Sequence, residues 1–341
     1  MFEAILTLCL AGVGGDAPCR EVLLPGYEAA TEAACVAALS ARAPDGAGEA
    51  RCVPVGAALD VDEIAPGVFV HLGQVAEPDP ENLGDASNLG FVVGRAAVAV
   101  IDTGSAAWMG EALWRAIRAR TDLPVTHVIL THIHPDHVFG AGPFVAAGAQ
   151  VWGHADFNRA LADRSGNYLE SLDREIGQGA MIGTAVPVVT APVAGRSDID
   201  LGARVLVLEA WPMAHTGTDL TVHDVATDTL FAGDLVFDTH LPALDGSLRG
   251  WRAVLAGLQA RAFDRVVPGH GGPTLDWPDG GAATARYLSV LERDTRAAIA
   301  AGARLGDAVL EIAAGEAAQW ALFDAYNARN ATVAFTELEW E

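Results

Sequence analysis

The sequence predicts an α+β chain built on two β-sheets packed face to face with helices outside. A small cysteine-bearing unit precedes this core and a helical tail follows it. Three observations predict the arrangement. Two successive groups of apolar, strand-like runs, within residues 67–153 and 198–267, each include a segment with helical spacing. Several of those runs end in turns that carry histidine or aspartate beside glycine. All four cysteines fall in the first 52 residues, and residues 280–341 read as mainly helical. The chain therefore divides into 1–58, 59–279 and 280–341.

The totals bound the answer. In 341 residues, 51% are hydrophobic and 19% charged, which describes a folded globular chain with room for a substantial core. No apolar run reaches membrane-spanning length. The formal charge of −23 repels polyphosphate, so nucleic acid is excluded as a partner and a small-molecule substrate is expected.

In the first unit, Phe2–Leu10 reads as a strand, Tyr27–Ala43 as an alanine-rich helix, Ala43–Glu49 as a Pro/Gly linker and Arg51–Val55 as a return strand. Cys9, Cys19, Cys35 and Cys52 lack the close CxxC pairs of a zinc ribbon. An even number in one short segment suggests two disulfides and an oxidising compartment such as a periplasm. Three connectivities are open, of which Cys9–Cys52 (strand to strand) with Cys19–Cys35 (loop to helix) is the expected pairing. Residues 1–12 lack the basic start of a signal peptide and carry Glu3 there, which argues instead for a cytoplasmic chain.

From Val61 the texture changes. Gly67–Leu72, Asn88–Val93 and Ala96–Asp102 read as strands separated by glycine-containing turns. Ala106–Arg120 reads as a helix, with Met109, Leu113 and Ile117 recurring every four residues. Pro124–Leu130 is a buried-type strand, Asp136–Ala147 a short helix, Gln150–Gly153 a strand, Asp156–Ile176 a charged helix and Met181–Pro192 a loop or strand. The second group follows: strands at Asp198–Leu208, Leu220–Val225 and Thr229–Leu235, a helix at Leu248–Ala262 and a strand at Asp264–Val267. Helices at Ala282–Ala301, Asp307–Ala314 and Glu316–Tyr326 lead to an acidic end, Glu337–Glu341.

The strand ending at Leu130 runs into Thr-His132-Ile-His134-Pro-Asp136-His137, four ligand-type side chains within six residues. In extended chain alternate residues share a face, so His132 and His134 can point at one ion. Pro135 stops the strand, and the turn that follows can swing Asp136 and His137 towards a second. A lone histidine in an apolar run is usually a satisfied core residue, but four at this spacing are not explained that way. Three later turns continue the theme: His215 in Trp211-Pro-Met-Ala-His-Thr-Gly, Asp234 after Phe-Ala-Gly, and His270 in Pro-Gly-His-Gly-Gly. Each alone is weak. Together they give five histidines and two aspartates, an imidazole and carboxylate set suited to two zinc ions. We assign His132, His134 and His215 to one ion, Asp136, His137 and His270 to the other, and Asp234 as the bridge.

The ordered set HxHxDH, His, Asp, His resembles the metallo-β-lactamase superfamily over roughly residues 60–275. The resemblance implies an αβ/βα four-layer sandwich with a dinuclear site along one edge of the paired sheets. β-Lactamases with this motif generally lack an aspartate at the position of Asp234, which argues against antibiotic hydrolysis as the native role. Glyoxalase II enzymes would be expected to carry a basic glutathione site near the C-terminus, where this chain offers little beyond Arg286, Arg293 and Arg296. Flavodiiron proteins carry Glu where this chain has His134. The cysteine-bearing extension and the tail from Arg329 resemble zinc metallohydrolases associated with quinoprotein relay systems. That resemblance implies a periplasmic setting beside a quinoprotein dehydrogenase and defines no substrate.

Two zinc ions sharing a water lower its pKa to about 7. Asp136 would orient the resulting hydroxide and accept its proton, so that an ester, lactone, thioester or amide is cleaved. Two other readings stand beside this one: a mononuclear iron enzyme of the persulfide dioxygenase kind, and a non-catalytic metal-binding partner of a redox system. Asp102, ending a strand before Thr-Gly-Ser, is placed to orient a ligand histidine, against a plain turn role. His240 lies in a loop that could overhang the metals and touch substrate. His71, His127, His154 and His223 are read as structural.

Overall fold

The computed structural model describes residues 1–10, 17–42 and 50–340. Strands β1 (Phe2–Cys9), β2 (Cys19–Ala29) and β3 (Arg51–Pro54) form a sheet in the order β2-β1-β3, and α1 (Glu32–Ala41) packs on it. The expected linker Ala43–Glu49 lies outside the described residues, as do Ala11, Gly12 and Glu341. The helix expected from Tyr27 starts later. Tyr27 belongs to β2, and Thr31 caps α1 by accepting from the Ala34 N–H at 3.2 Å.

The disulfides are Cys9–Cys19 and Cys35–Cys52, which corrects the expected pairing. Strand register explains the difference. Antiparallel β1 and β2 set Cys9 directly opposite Cys19, whereas β3 places Cys52 opposite Ala4, at the other end of β1. Cys52 thus faces the helix, where Cys35 is fully buried.

The first large sheet gathers β4 (Asp62–Ala65), β5 (Val68–His71), β6 (Leu89–Val93) and β7 (Val98–Ile101). After α2 (Ala107–Arg118) it adds β8 (Val125–Ile129), and after α3 (Pro135–Val138) and α4 (Gly142–Ala146) it adds β9 (Gln150–His154). Helices α5 (Phe157–Glu175) and α6 (Gln178–Met181) precede β10 (Ala191–Val193). The sheet order is β10-β9-β8-β7-β6-β5-β4. The second sheet, β11-β12-β13-β14-β15, uses β11 (Arg196–Asp200), β12 (Val205–Ala210), β13 (Leu220–Asp224), β14 (Thr229–Phe237) and β15 (Arg265–His270), with α7 (Leu248–Gln259) between the last two. Helices α8 (Ala282–Ala300), α9 (Leu305–Ala308) and α10 (Phe323–Leu338) complete the chain.

Val70, Ile101 and Ile129 of one sheet meet Leu206, Val222, Phe231 and Val267 of the other in a buried layer. On the outer face of the first sheet, Met109, Leu113 and Ile117 of α2 pack over Phe91, Val100 and Val128. On the outer face of the second, Trp251, Tyr287, Leu291 and Phe335 of α7, α8 and α10 cover Leu230 and Val236. Helices, sheet, sheet and helices therefore stack as an αβ/βα four-layer sandwich. Strands β7, β8 and β9 run parallel. Strand β7 is buried throughout, which is why it reads as a continuous apolar run, while Thr126 and His127 of β8 and Gln150 of β9 are partly or fully exposed. No helix among the described residues is long and apolar enough to cross a membrane.

Other elements depart from the sequence reading. The expected strand Asp198–Leu208 is a hairpin, turned at Gly202 (φ +87°) and Ala203 (φ +56°). The expected helix Asp136–Ala147 breaks into α3, a 3-10 turn over Phe139–Ala141, and α4. Met181 closes α6, and Ala191–Val193 adds an edge strand to the first sheet. In the tail, left-handed Ala313 (φ +57°) and Leu322 (φ +60°) interrupt the expected helices, and α10 runs through Glu337 to Leu338.

Candidate metal centre

The seven residues named from sequence converge at one edge of the paired sheets. His132 and His134 follow β8, and Asp136 and His137 lie on the single turn of α3, started by Pro135 at its first position. His215 sits in the β12–β13 loop, Asp234 within β14 and His270 at the end of β15. Two close approaches make this geometry specific. A Cβ on Gly269 would lie 1.9 Å from Asp234 Oδ1, and one on Gly233 would lie 2.9 Å from Thr131 Cβ. Glycine at 269 admits the carboxylate beside β15, and glycine at 233 admits Thr131 against β14.

Two groups of donor atoms result, His132, His134, His215 and Asp234 in one and Asp136, His137 and His270 in the other, each within 4.8 Å. Asp234 faces both. Its Oδ2 lies 3.7 Å from His132 Nε2, 3.4 Å from His215 Nε2 and 3.4 Å from His270 Nε2, while Oδ1 lies 3.2 Å from His137 Nε2. Asp136 Oδ2 stands 3.4 Å from both His137 Nε2 and His270 Nε2.

Each histidine has its outer nitrogen held by an oxygen. His137 Nδ1 donates to Asp102 Oδ2 at 2.9 Å, His215 Nδ1 to the Ala243 carbonyl at 2.6 Å, and His270 Nδ1 to the Ala86 carbonyl at 2.8 Å. His134 is reversed, with Nε2 at 3.1 Å from Asp245 Oδ2. His132 Nδ1 donates to Thr131 Oγ1 at 3.0 Å, and that hydroxyl donates onward to Asp102 Oδ2 at 2.8 Å. With the outer nitrogens protonated, all five inner nitrogens are bare. His134 Nδ1 and His215 Nε2 then face each other as lone pairs only 3.0 Å apart. The buried atoms His132 Nε2, His137 Nε2 and Asp234 Oδ1 have no hydrogen-bond partner. Orphaned buried acceptors aimed at one another are costly unless a cation lies between them, so the residues fit a bound metal.

Electrostatics point the same way. Burial pushes His132 well below its ordinary pKa and His215 down to about 3, which keeps both neutral. At His137 and His270 burial is outweighed by Asp136 and Asp234, and both are raised. At Asp234 burial is outweighed by His270, His137 and His132, which hold it well below the carboxylate range. Without a cation, the positive charge these carboxylates draw in is a second proton on His137 and His270; a bound metal would take its place and leave the inner nitrogens bare.

A cavity of about 660 Å³ opens over the cluster, with Asp136, Asp234 and His270 on its floor and helices α5 and α10 as walls. His240 lines it, with its ring 4.8 Å from that of His270. Asp102 touches two of the histidines, directly and through Thr131. The other histidines lie apart from the cluster. His71 bonds Asp85 and the Asp60 carbonyl, and His223 bonds Asp228. His127 bonds Thr126, and His154 accepts from the Asp156 N–H. Sequence reasoning missed Asp245, although it stands in the same overhanging loop as His240. It also missed Arg164, which pairs with Asp245, and Tyr326 on α10, for which no local pattern exists.

The family model of the metallo-beta-lactamase superfamily matches residues 83–270. A linear primary-alkylsulfatase from Pseudomonas sp. (strain ATCC 19151) is 26% identical over 149 residues, 42% of this chain. The chain spans only 27% of that relative's length. Among solved structures, a metallo-beta-lactamase from Pontibacter korlensis superposes with a TM-score of 0.55 at 22% identity, over 68% of this chain and 99% of the other. The metallo-beta-lactamase TMB-1 gives 0.53 at 20% identity, over 70% and 98%. A double mutant of the sec-alkyl sulfatase PisA1 gives 0.61 at 14% identity, over 83% and 51%. At such identities these structures speak for the fold alone.

Proposed function

The chain belongs to the metallo-β-lactamase superfamily, and from that premise we propose that it is a dinuclear zinc-dependent hydrolase acting on an ester, lactone, thioester or amide. One observation carries the reading: five bare imidazole nitrogens and two carboxylates, drawn from four separate segments, face one another under a cavity. His132, His134 and His215 would hold one ion, Asp136, His137 and His270 the second, and Asp234, which faces both groups, would bridge them. When bound, such a pair acts as a Lewis acid and acidifies water to near-neutral pKa. Asp136 lines the cavity as well as the cluster, so its carboxylate orients a water there and accepts its proton. Asp102, Asp245 and the Ala86 and Ala243 carbonyls keep the imidazoles turned inward.

The likeness to a linear primary-alkylsulfatase favours a second reading of the same site, hydrolysis of an alkyl sulfate ester. Two disulfides support an oxidising compartment such as a periplasm. Association with a quinoprotein dehydrogenase rests on the sequence resemblance of the extension and tail, and co-purification would test it.

Metal analysis of protein purified without added metal, followed by a panel of phenyl acetate, a butyrolactone, an acyl thioester and dodecyl sulfate, decides among these. Two zinc ions per chain and turnover abolished by His132→Ala are expected. One iron with oxygen consumption would favour the persulfide dioxygenase reading. Hydrolysis that survives complete chelation would overturn the proposal.

A further inference from the structure

We propose that Tyr326 is a catalytic residue of this site, its hydroxyl donating a hydrogen bond to the substrate oxygen that gains negative charge as water attacks. The inference rests on the hydrolase reading and adds a group outside the metal ligands. Tyr326 lies on α10, beyond the family match, which ends at residue 270. This wall of the cavity is therefore supplied by the chain's own C-terminal segment.

Ring contacts place Tyr326 beside the floor of the cavity. The Tyr326 ring packs 4.9 Å from that of His240, which in turn lies 4.8 Å from the His270 ring. Asp136 and Asp234 line the same cavity as Tyr326. Among the described residues no protein group bonds the Tyr326 hydroxyl, in contrast to Tyr287 on α8, which bonds Asn327 and Asn330. Burial first, then Asp136, pushes the phenol above its ordinary pKa, so it is a donor at neutral pH.

Several neighbouring polar groups are already engaged. Asn330 donates to the Pro242 carbonyl and to Tyr287, and accepts from the Leu244 N–H. Ser105 donates to the Gly84 carbonyl. Arg164 is paired with Asp245. His240 donates through Nδ1 to the Leu241 carbonyl, and burial lowers its pKa to about 4, so its remaining nitrogen accepts rather than donates. Tyr168, on the opposite wall, accepts a weak hydrogen bond from Arg164 at 3.4 Å and keeps its own proton to donate, which makes it the comparison for Tyr326. Arg329 sits over the Tyr326 ring at 5.8 Å, at the exposed mouth of the cavity.

The test compares metal-loaded wild type, Tyr326→Phe and Tyr168→Phe on phenyl acetate, with metal content measured in each. Removing one oxyanion donor costs on the order of 10²-fold in kcat. Tyr326→Phe is expected to lose about that, with KM within about twofold, full metal content and a smaller loss in Tyr168→Phe. A kcat within about threefold of wild type at full metal content overturns the inference. Calorimetric binding of methylphosphonate, a tetrahedral oxyanion mimic, gives a readout without turnover. At least tenfold weaker binding to Tyr326→Phe is expected even if no ester is cleaved, in which case the hydrolase reading fails alone. Equal binding to the two proteins, or no binding to wild type, overturns the role of Tyr326.

Discussion

Asp102 Oδ2 lies 2.9 Å from His137 Nδ1, and the same oxygen takes the hydroxyl of Thr131 at 2.8 Å. Through Thr131 it also governs His132, whose Nδ1 is 3.0 Å from the Thr131 oxygen. One buried carboxylate thus fixes the proton position on a histidine of each group. Its backbone is left-handed, at φ +56°, a conformation asparagine also tolerates. Asp102→Asn should therefore keep the turn while removing the charge. Metal affinity is expected to fall about 10–100-fold, read by competition with a chromophoric chelator. Unchanged affinity would reduce Asp102 to a turn residue.

Removing the metals should destabilise the whole core, because the cluster joins segments from both sheets. Stripped of cations, two carboxylates and five inward nitrogens remain buried together with Asp234 Oδ1, His132 Nε2 and His137 Nε2 unpartnered. A ligand present at about 100 times its dissociation constant stabilises the folded state by roughly 2.7 kcal/mol. Chelation should lower the melting temperature by several degrees, and zinc should restore it. An identical melt for protein shown to be metal-free would mean the cluster is satisfied on its own.

The fold was legible because largely apolar strands lead into histidines of the cluster, as at Val125–Ile129 before His132 and at Arg265–His270. The clustering residues were legible in part for the same reason, since His132 follows β8 and His270 closes β15, whereas Asp234 lies inside β14 and His215 in a loop. What escaped the reading depends on register and long-range placement. The disulfide pairing follows from β1 setting Cys9 opposite Cys19, which no spacing reveals. Asp245 and Tyr326 reach the cavity from 111 residues beyond His134 and from a helix past the family match, so nothing local marks them. The tail misled because left-handed Ala313 and Leu322 occur at residues with ordinary helical preference.

The cysteine-bearing unit is fastened to α2 by two buried ion pairs, Arg20–Glu111 at 2.8 Å and Arg115–Glu3 at 2.9 Å. Glu111 accepts from both terminal nitrogens of Arg20, while Arg20 Nε donates to the Ile182 carbonyl. Burial raises the Glu111 pKa despite Arg20, a sign that desolvation is large here. Glu111→Ala strands a guanidinium whose side chain is 16% exposed, and should cost about 3–5 kcal/mol by denaturant titration. The double change Arg20→Met with Glu111→Leu should recover most of that loss, because no unpaired charge remains. A double variant as unstable as the single one would assign the pair a net stabilising role.

His71 ties β5 to the loop that follows it. Its Nδ1 is 2.8 Å from the Asp60 carbonyl and its Nε2 is 2.8 Å from Asp85 Oδ1, so the doubly protonated ring satisfies both acceptors. Burial opposes that charge, but Asp85 and Asp60 outweigh it and the pKa is raised above 6.5. A raised folded pKa means the native chain holds the proton more tightly than the unfolded one. The resulting stability is fully present below about pH 6.5 and is lost as pH rises through the folded value. His71→Gln should therefore cost roughly 1.5–3 kcal/mol at pH 5.5, the range of a hydrogen bond to a charged group, and clearly less at pH 9. The same loop supplies the Ala86 carbonyl that orients His270 and the Ser87 hydroxyl that bonds the Asp136 carbonyl. Weaker metal retention in His71→Gln is expected to accompany the loss. Urea titrations of wild type and variant at both pH values test this, and an equal gap at pH 5.5 and pH 9 would show that His71 is neutral in the fold.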